Sequence, residues 1–191
     1  MFSLPPVTQA LIVLNVLVFL GEALLGSSFI SLLALWPLGP DFMPWQLLTY
    51  AFVHGGVSHL LFNMLGVYMF GGDLERVWGS SRYLTYYLLC ALSAAAAQLL
   101  VAMLTDATSP TVGASGAVFG LLLAFAMLFP RRMIVPLFPP IPMRAPVFVA
   151  FYGGLELLLG VSGAASGVAH FAHLGGLAGG FLVMRFGRGW R

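Results

Sequence analysis

Six long apolar runs separated by short polar segments constrain this chain more than any other feature of its sequence. The runs cover residues 7–28, 58–75, 83–104, 115–130, 145–161 and 168–186. A helix needs about 20 apolar residues to cross the hydrocarbon core of a bilayer, whereas a β-barrel shows alternation in short segments. Because 60% of the 191 residues are hydrophobic and only 7% are charged, we expect an all-α membrane protein with six transmembrane helices in one domain, 1–191.

The sequence predicts that the chemistry lies within the helix bundle. The first run begins within ten residues of Met1, and the last ends a few residues before Arg191. No Lys or Arg precedes the first run, so it lacks the basic segment of a cleaved signal peptide, and we expect it to be retained. Cys90 is the only cysteine and falls in the third run, which excludes an internal disulfide and favours a packing role.

The eight arginines orient the predicted bundle, since cytoplasmic loops collect Lys and Arg. The chain has no lysine, and every arginine lies at the end of an even-numbered run or after it: Arg76, Arg82, Arg131, Arg132, Arg144, Arg185, Arg188 and Arg191. Both termini are therefore predicted to be cytoplasmic, and the loops after odd-numbered runs are predicted to lie outside. The net charge of +2 follows from this topology and does not indicate a nucleic-acid partner.

Polar side chains gather at the predicted outer ends of three runs. Ser115 is in the first turn of the fourth run, and His59 and Asn63 lie one turn apart at the start of the second. His173 is about six residues into the sixth run, roughly 9 Å below its start at 1.5 Å per residue. Polar residues within a membrane usually mark function, so these four are the candidate site.

Their chemistry suits acyl transfer. A serine hydroxyl becomes a nucleophile when a base lies within hydrogen-bond reach, and imidazole, with an ordinary pKa of about 6.5, is such a base. We therefore expect Ser115 to react and His173 to accept its proton. Asn63, His59 and the Ser115 backbone N–H at a helix start are candidate donors to a developing oxyanion.

Glycines on two runs favour a close approach of these residues. Gly116 and Gly120 on the fourth run are spaced by four, as are two pairs on the sixth: Gly175 with Gly179, and Gly176 with Gly180. Small residues at this spacing let membrane helices pack closely. We expect the fourth and sixth runs to pack through these glycines, bringing Ser115 towards His173.

Three strings in this order resemble the rhomboid intramembrane serine proteases. They are His54-Gly-Gly-Val-Ser-His59-Leu-Leu-Phe-Asn63, then Gly113-Ala-Ser115-Gly116-Ala-Val-Phe119-Gly120, then Ala172-His173-Leu-Gly-Gly176. The resemblance covers about residues 45–180. Pro44-Trp45-Gln46 resembles the first outer loop of that family, but Gln46 stands where an Arg often follows the Trp, so no role of that Arg is transferred.

The resemblance implies a role for each candidate. Ser115 would be the nucleophile and His173 the general base and acid of a dyad without a carboxylate, with Asn63, His59 and the Ser115 N–H stabilising the oxyanion. His54 would order a loop or contact water, Gly113 and Gly116 would frame the serine, and Phe119 would pack on the catalytic imidazole. It further implies substrates that are transmembrane proteins in a lipid bilayer, with neither cofactor nor metal. A compact chain of this kind suits a prokaryotic plasma membrane, with the site open to the outer face.

Three other ionisable residues in these runs are interpreted as lying outside the catalytic pair. His170 lies three residues before His173 and is interpreted as a polar residue at the mouth of its helix, because the Ala-His-Leu-Gly-Gly context selects His173. Glu156 is a conceivable third member of a triad, but the resemblance argues against it and favours a satisfied or solvent-facing carboxyl. Glu22 is expected to face the outer interface.

Three other functions remain as alternatives. A metalloenzyme would require a pattern such as His-Glu-x-x-His, whereas His54 and His59 are five residues apart with no acid between them. A transporter with a helix broken at Gly113–Gly116 would use the helix amides to bind an anion, but no internal repeat is visible. A catalytically inactive rhomboid-like protein would bind transmembrane clients, yet such proteins lack the Ser or the His.

Overall fold

Helices make up most of the described structure. The computed structural model describes residues 3–137, 139–163, 168–187 and 190. Its helices are α1 (Pro6–Leu25), α2 (Ser27–Leu33), α3 (Gln46–Thr49), α4 (Val57–Gly66), α5 (Gly72–Trp78), α6 (Ser80–Thr105), α7 (Ser115–Leu128), α8 (Ala145–Ser162) and α9 (His170–Phe186). Arg188 and Arg191, used above to orient the chain, lie outside the described residues.

Each apolar run forms helix in the structure. The second run is interrupted, because a π-helical stretch, Val67–Gly71, joins α4 to α5. The first run ends earlier than expected, at Leu25, because Gly26 adopts a φ of 72° before α2 begins. The sixth begins at His170 rather than residue 168.

Within the described part of the chain, three helices are long and apolar enough to cross a bilayer. They are α1, α6 and α8, and α7 is a shorter apolar helix of 14 residues. Large apolar side chains on their outer faces are exposed, including Leu24, Leu104 and Leu158. In water such surfaces would be strongly unfavourable, so lipid must cover them. The chain is an integral membrane protein.

Helix α9 packs against both α6 and α7 through glycine. A Cβ at Gly176 would overlap the Gly116 carbonyl of α7, and a Cβ at Gly120 would lie 3.2 Å from the Gly176 carbonyl. Gly175 and Gly179 instead face α6, where added Cβ atoms would overlap the side chains of Ala97 and Ser93. The expected α7–α9 contact is therefore present, and half of the α9 glycines form a second close contact.

Buried hydroxyls link the helices where side chains are small. Tyr86 donates to the Gly120 carbonyl at 2.9 Å, and Ser93 donates to the Gly175 carbonyl at 2.8 Å. Tyr50 donates to the Ala91 carbonyl at 2.7 Å. These hydrogen bonds join α6 to α7, to α9 and to the loop before α4. They restrain sliding of α6 along these neighbours.

Two carboxylates hold the ends of α1. Glu75 of α5 accepts the backbone N–H groups of Val7 and Thr8 at 2.9 and 2.7 Å, which caps the first turn of α1. Glu22 accepts the backbone N–H of His54 at 3.0 Å and is buried. The expectation that Glu22 faces the interface was wrong, because its carboxylate finds a partner in a loop 32 residues further along the chain.

Short elements in the loops were not predicted. Helix α3 continues as a 3-10 turn, Tyr50–Phe52, and Met133–Ile134 pairs antiparallel with Met143–Arg144. Gln46 accepts from the backbone N–H groups of Trp36 and Met43, and it donates to the Asp41 carbonyl. This amide therefore orders the first outer loop at the position where the resemblance led us to look for an arginine.

Candidate active site

The candidate residues lie in the first two turns of three helices. Ser115 is the first residue of α7, His59 the third of α4, and Asn63 lies one turn further along α4. His173 is the fourth residue of α9, which makes it shallower than the depth of about six residues expected from the sequence. The three helix starts come together at one end of the bundle.

Ser115 and His173 are in direct contact. His173 Nε2 lies 2.7 Å from Ser115 Oγ, within hydrogen-bond distance. The glycine contact between α7 and α9 makes this approach possible, because a side chain at Gly176 would push the two backbones apart. Ser115 is half-buried and His173 is buried, so the pair lies inside the protein but can be reached.

Phe119 covers one face of the imidazole. Its ring stacks on His173 with centroids 4.6 Å apart and planes inclined by 12°. Phe119 follows Ser115 by four residues on α7, so both side chains lie on the same face of the helix. The aromatic ring therefore limits rotation of His173 while its Nε2 points at the serine.

His59 presents a donor towards the loop before Ser115. Its Nδ1 accepts the backbone N–H of Gly55 at 3.3 Å, which assigns the ring proton to Nε2. A Cβ at Gly113 would lie 2.7 Å from that Nε2, and Gly113 has a φ of 119°, a value that favours glycine. Gly113 thus lets the His59 N–H come close to the backbone that leads into α7.

Asn63 makes a local bond in the present arrangement. Its Nδ2 donates to the backbone carbonyl of His59 at 3.0 Å, and the residue is buried. An amide nitrogen carries two hydrogens, so one donor remains for another acceptor. The first backbone N–H groups of α7 likewise have no acceptor within their own helix.

A cavity of about 690 Å³ opens onto the serine. Its lining comes from α4 and the loop before it, from α6, from α7 and the loop before it, and from α9 and the residues before it. The lining residues are Gly55, His59, Phe62, Asn63, Gln98, Ala107, Ser109, Pro110, Thr111, Val112, Ser115, Val118, Phe119, Val168, Ala169 and His173. A cavity of this volume falls within the range of small-molecule and substrate sites in proteins. Five expected residues line it: Ser115, His173, His59, Asn63 and Phe119.

His54 lies outside this lining. It is buried, its ring stands edge-on to His59 at 5.1 Å, and its Nδ1 lies 3.2 Å from the Phe52 carbonyl. Burial, and secondarily the nearby His59, lower the pKa of His54 to about 4, so its ring is neutral at physiological pH. Its position fits a loop-ordering role, while the water contact that we also considered remains a prediction.

Gly116 of α7 and Ala172 of α9 pack closely together next to Ser115 and His173. A Cβ at Gly116 would lie 3.2 Å from the Ala172 carbonyl and would overlap Ala94 of α6. Three helices therefore meet at Gly116, directly after Ser115. A larger side chain at this position would displace the serine from its present contact with His173.

Sequence reasoning missed Gln98 as part of the cavity. This amide is the polar residue of an apolar stretch near the end of α6, and such residues inside a membrane commonly mark a site, which was the available signal. Its Oε1 is buried and has no hydrogen-bond partner among the described residues. An N–H donor is the type of group that this oxygen lacks.

An acidic residue contacts His173 on the side of the ring away from Ser115. Glu156 Oε2 is 3.0 Å from His173 Nδ1 and is also hydrogen-bonded to His170 Nδ1. Glu156 is therefore a satisfied carboxyl, and His170 begins α9, as a residue at the mouth of its helix should. Among the described residues these three place one potential metal-ligand atom each within 4.8 Å of one another.

The sequence is similar to those of known proteins. Residues 41–189 match the family model described as the rhomboid domain. The chain is 33% identical over 141 residues to rhomboid protease GluP of Bacillus subtilis (strain 168), covering 73% of this chain and 25% of that protein. It is 35% identical over 142 residues to RHOMBOID-like protein 4 of Arabidopsis thaliana, covering 73% and 33% respectively. The alignments span a quarter to a third of these curated relatives.

Proposed function

The chain belongs to the rhomboid family, and we propose that it is an intramembrane serine endopeptidase. It hydrolyses peptide bonds in or near transmembrane segments of other membrane proteins by a Ser115–His173 dyad. The observation that supports this most directly is the 2.7 Å distance between Ser115 Oγ and His173 Nε2. The protease name of a relative, GluP, favours the same reaction class.

In the proposed reaction Ser115 Oγ attacks the scissile carbonyl carbon and passes its proton to His173 Nε2. The resulting oxyanion accepts hydrogen bonds from the Ser115 N–H, from His59 Nε2 and from the second hydrogen of Asn63 Nδ2. Each such donor contributes several kcal/mol, about 2.7–4 in a well-studied serine protease. The tetrahedral intermediate then collapses, the C–N bond breaks, and His173 donates its proton to the leaving amine.

Water completes the cycle. It attacks the acyl-serine carbonyl while His173 Nε2 takes one of its protons, and the second intermediate expels Ser115 Oγ, which recovers that proton. The carboxylic-acid product leaves and the free enzyme is restored. The cavity of about 690 Å³ holds the reacting carbonyl and the water together, which is why its position over Ser115 supports hydrolysis.

The proposed topology has six membrane spans with both termini in the cytoplasm. The α4–π–α5 unit forms the second span, and α1, α6, α7, α8 and α9 form the others. Arginines concentrated after even-numbered spans support this orientation. The cavity then opens to the outer face, and we propose a prokaryotic plasma membrane as its location.

The proposed substrates are transmembrane helices that unwind locally. An intact helix keeps its carbonyls in internal hydrogen bonds, so the scissile carbonyl must be released before Ser115 can attack it. We therefore expect small residues around the cleaved bond and helix-weakening Gly or Pro nearby. The lipid bilayer is the medium in which enzyme and substrate meet.

Cleavage of a panel of transmembrane reporter proteins in detergent and in lipid vesicles tests this function. Wild type should release fragments, whereas Ser115→Ala and His173→Ala should release none above background. Ser81→Ala removes an exposed hydroxyl near the start of α6, far along the helix from the site, and should cleave at the wild-type rate. If wild type captures reporters but does not cut them, the protein binds clients and is not a protease.

A further inference from the structure

The side of His173 that faces away from Ser115 is occupied by Glu156 of α8. Glu156 Oε2 lies 3.0 Å from His173 Nδ1, while His173 Nε2 lies 2.7 Å from Ser115 Oγ. Hydroxyl, imidazole and carboxylate thus follow one another across three helices. The line of contacts is that of a Ser–His–acid arrangement.

We propose that Glu156 is a positioning residue that acts on the reaction through His173. This inference rests on the proposed function, since it assigns the carboxylate a role only if His173 is the base. Glu156 touches neither the scissile bond nor Ser115. Its role is to hold the imidazole in the reactive orientation and tautomer, and to stabilise the positive charge that forms on it.

The tautomer gives the first reason. His173 Nε2 can accept the Ser115 proton only when the ring proton of neutral His173 is on Nδ1. Glu156 is an acceptor facing that nitrogen, so the neutral ring gains a favourable contact only with the proton on Nδ1. The reverse tautomer would place the lone pair of Nδ1 against a carboxylate oxygen, which is unfavourable.

Charge gives the second reason. When His173 takes the serine proton it becomes a cation inside an apolar bundle, where charges are costly unless paired. A carboxylate 3.0 Å away supplies the pair. The distance between Glu156 Oε2 and His173 Nδ1 is that of an ion pair, but the two groups are not aligned as in a hydrogen bond. His173 Nδ1 has no hydrogen-bond partner among the described residues. Coulomb attraction depends on distance, so it acts in this geometry.

His170 fixes the carboxylate. Its Nδ1 is hydrogen-bonded to the same Oε2 atom that faces His173, at 2.5 Å. The two histidines are three residues apart at the start of α9, and the carboxylate lies between them. Glu156 is therefore held in place by α9 itself, the helix that carries the base.

The packing of α8 supports a specific polar role. Of the residues of this helix, only Ala145 and Val149 are buried, and both are in its first two turns. Dense packing around Glu156 does not account for its position, and an acid in an apolar helix is unfavourable without a partner. The contacts with His170 and His173 are the favourable interactions that offset this cost.

Steady-state kinetics of reporter cleavage at several pH values tests the inference. Glu156→Gln keeps the size of the side chain and removes its charge, and should lower kcat at least tenfold while KM stays within twofold. The pH dependence of kcat should shift relative to wild type. Glu156→Asp keeps the charge on a shorter side chain and should recover at least threefold in kcat over Glu156→Gln.

Labelling by a fluorophosphonate supplies a readout that is independent of the reporter. Its rate constant for Ser115 should fall with kcat in Glu156→Gln, while the thermal unfolding temperature remains close to that of wild type. Glu22→Gln removes a buried acid that contacts His54 rather than His173. This control should leave the pH dependence of kcat unchanged.

Four results would overturn the inference. The first is a kcat for Glu156→Gln within twofold of wild type. The second is a lower kcat together with a lower unfolding temperature and an unchanged pH profile, which would indicate a structural role. The third is activity that chelator removes and Zn²⁺ restores, which would make the three side chains a metal site. The fourth is wild type that neither labels at Ser115 nor cleaves, in which case the proposed function itself fails.

Discussion

Phe119 and His173 stack nearly parallel, with ring centroids 4.6 Å apart and an interplanar angle of 12°. The stack joins α7 to α9 beside Ser115. The stack, the contact of His173 Nε2 with Ser115 and the contact of His173 Nδ1 with Glu156 together restrict rotation of the imidazole. Three side chains from two helices thus contact the His173 ring: Phe119 and Ser115 of α7 and Glu156 of α8. Each of them can be removed separately.

We expect Phe119→Ala to lower kcat for reporter cleavage about tenfold, because the imidazole then samples rotamers that do not face Ser115. A loss of about 1.4 kcal/mol in transition-state stabilisation corresponds to this factor. Phe119→Tyr keeps the ring and is the matched control, with a kcat within about twofold of wild type. Equal rates for Phe119→Ala and wild type would show that the stack does not orient the base.

The contact between Gly176 and Gly116 should be sensitive to a single methyl group. Gly176→Ala places a Cβ against the Gly116 carbonyl, and overpacking of this kind costs about 1–3 kcal/mol of unfolding free energy. Gly154→Ala on α8 is the matched control, since nothing lies within 4 Å of its added Cβ. Thermal unfolding in detergent should show a lower midpoint for the first variant only. The account of the α7–α9 contact fails if both variants unfold at the wild-type temperature.

Glu75 should contribute strongly to stability although it lies far from the serine. It accepts from the Val7 and Thr8 backbones and from the Thr8 and Ser80 hydroxyls. Glu75→Gln leaves buried donors without a full acceptor, which costs about 1–3 kcal/mol. Asp73→Asn, by contrast, breaks an exposed pair with Arg76 that is worth about 0–1 kcal/mol. Denaturant titration of both variants would detect the difference, and equal losses would contradict it.

His54 should make the protein less stable in mild acid. Its folded-state pKa is about 4, below the ordinary histidine value of 6.5, chiefly because burial disfavours the charged ring. The unfolded chain binds a proton as pH falls below about 6.5 while folded His54 stays neutral, so its contribution is complete near pH 7 and is lost towards pH 4. The loss is on the order of 3 kcal/mol at 1.36 kcal/mol per pKa unit.

The test compares His54→Gln with wild type in thermal unfolding at pH 7, 5.5 and 4.5. His59 also packs against this side chain, and Glu22 accepts the His54 backbone N–H, so the difference between the two proteins is the quantity of interest. The variant should show a weaker dependence on pH. Identical dependence in both proteins would rule out His54 as the source.

The helices could be predicted from sequence because a long apolar run is what a helix needs to cross the hydrocarbon core of a bilayer. The π-helical stretch Val67–Gly71 could not, since neither hydropathy nor glycine spacing distinguishes it from a regular turn. The short α2 and α3 depend on tertiary contacts of the first loop, such as those of Gln46.

The sequence predicted which residues form the candidate site better than it predicted which side chains contact one another. The motifs located Ser115, His173, His59 and Asn63, and their shared depth followed from helix geometry. The partners of the acids did not follow: Glu22 meets His54 and Glu156 meets His173 through contacts between distant segments. A carboxylate in an apolar run indicates that a partner exists, but the run alone does not identify it.

Reaction of Ser115 with a fluorophosphonate probe tests the central claim most directly. Intact-mass and peptide mass spectrometry should find one adduct on wild type, located at Ser115, with none on Ser115→Ala and at least hundredfold slower labelling of His173→Ala. Ser81→Ala should label at the wild-type rate. Equal labelling of wild type and Ser115→Ala would contradict the claim that Ser115 is the nucleophile.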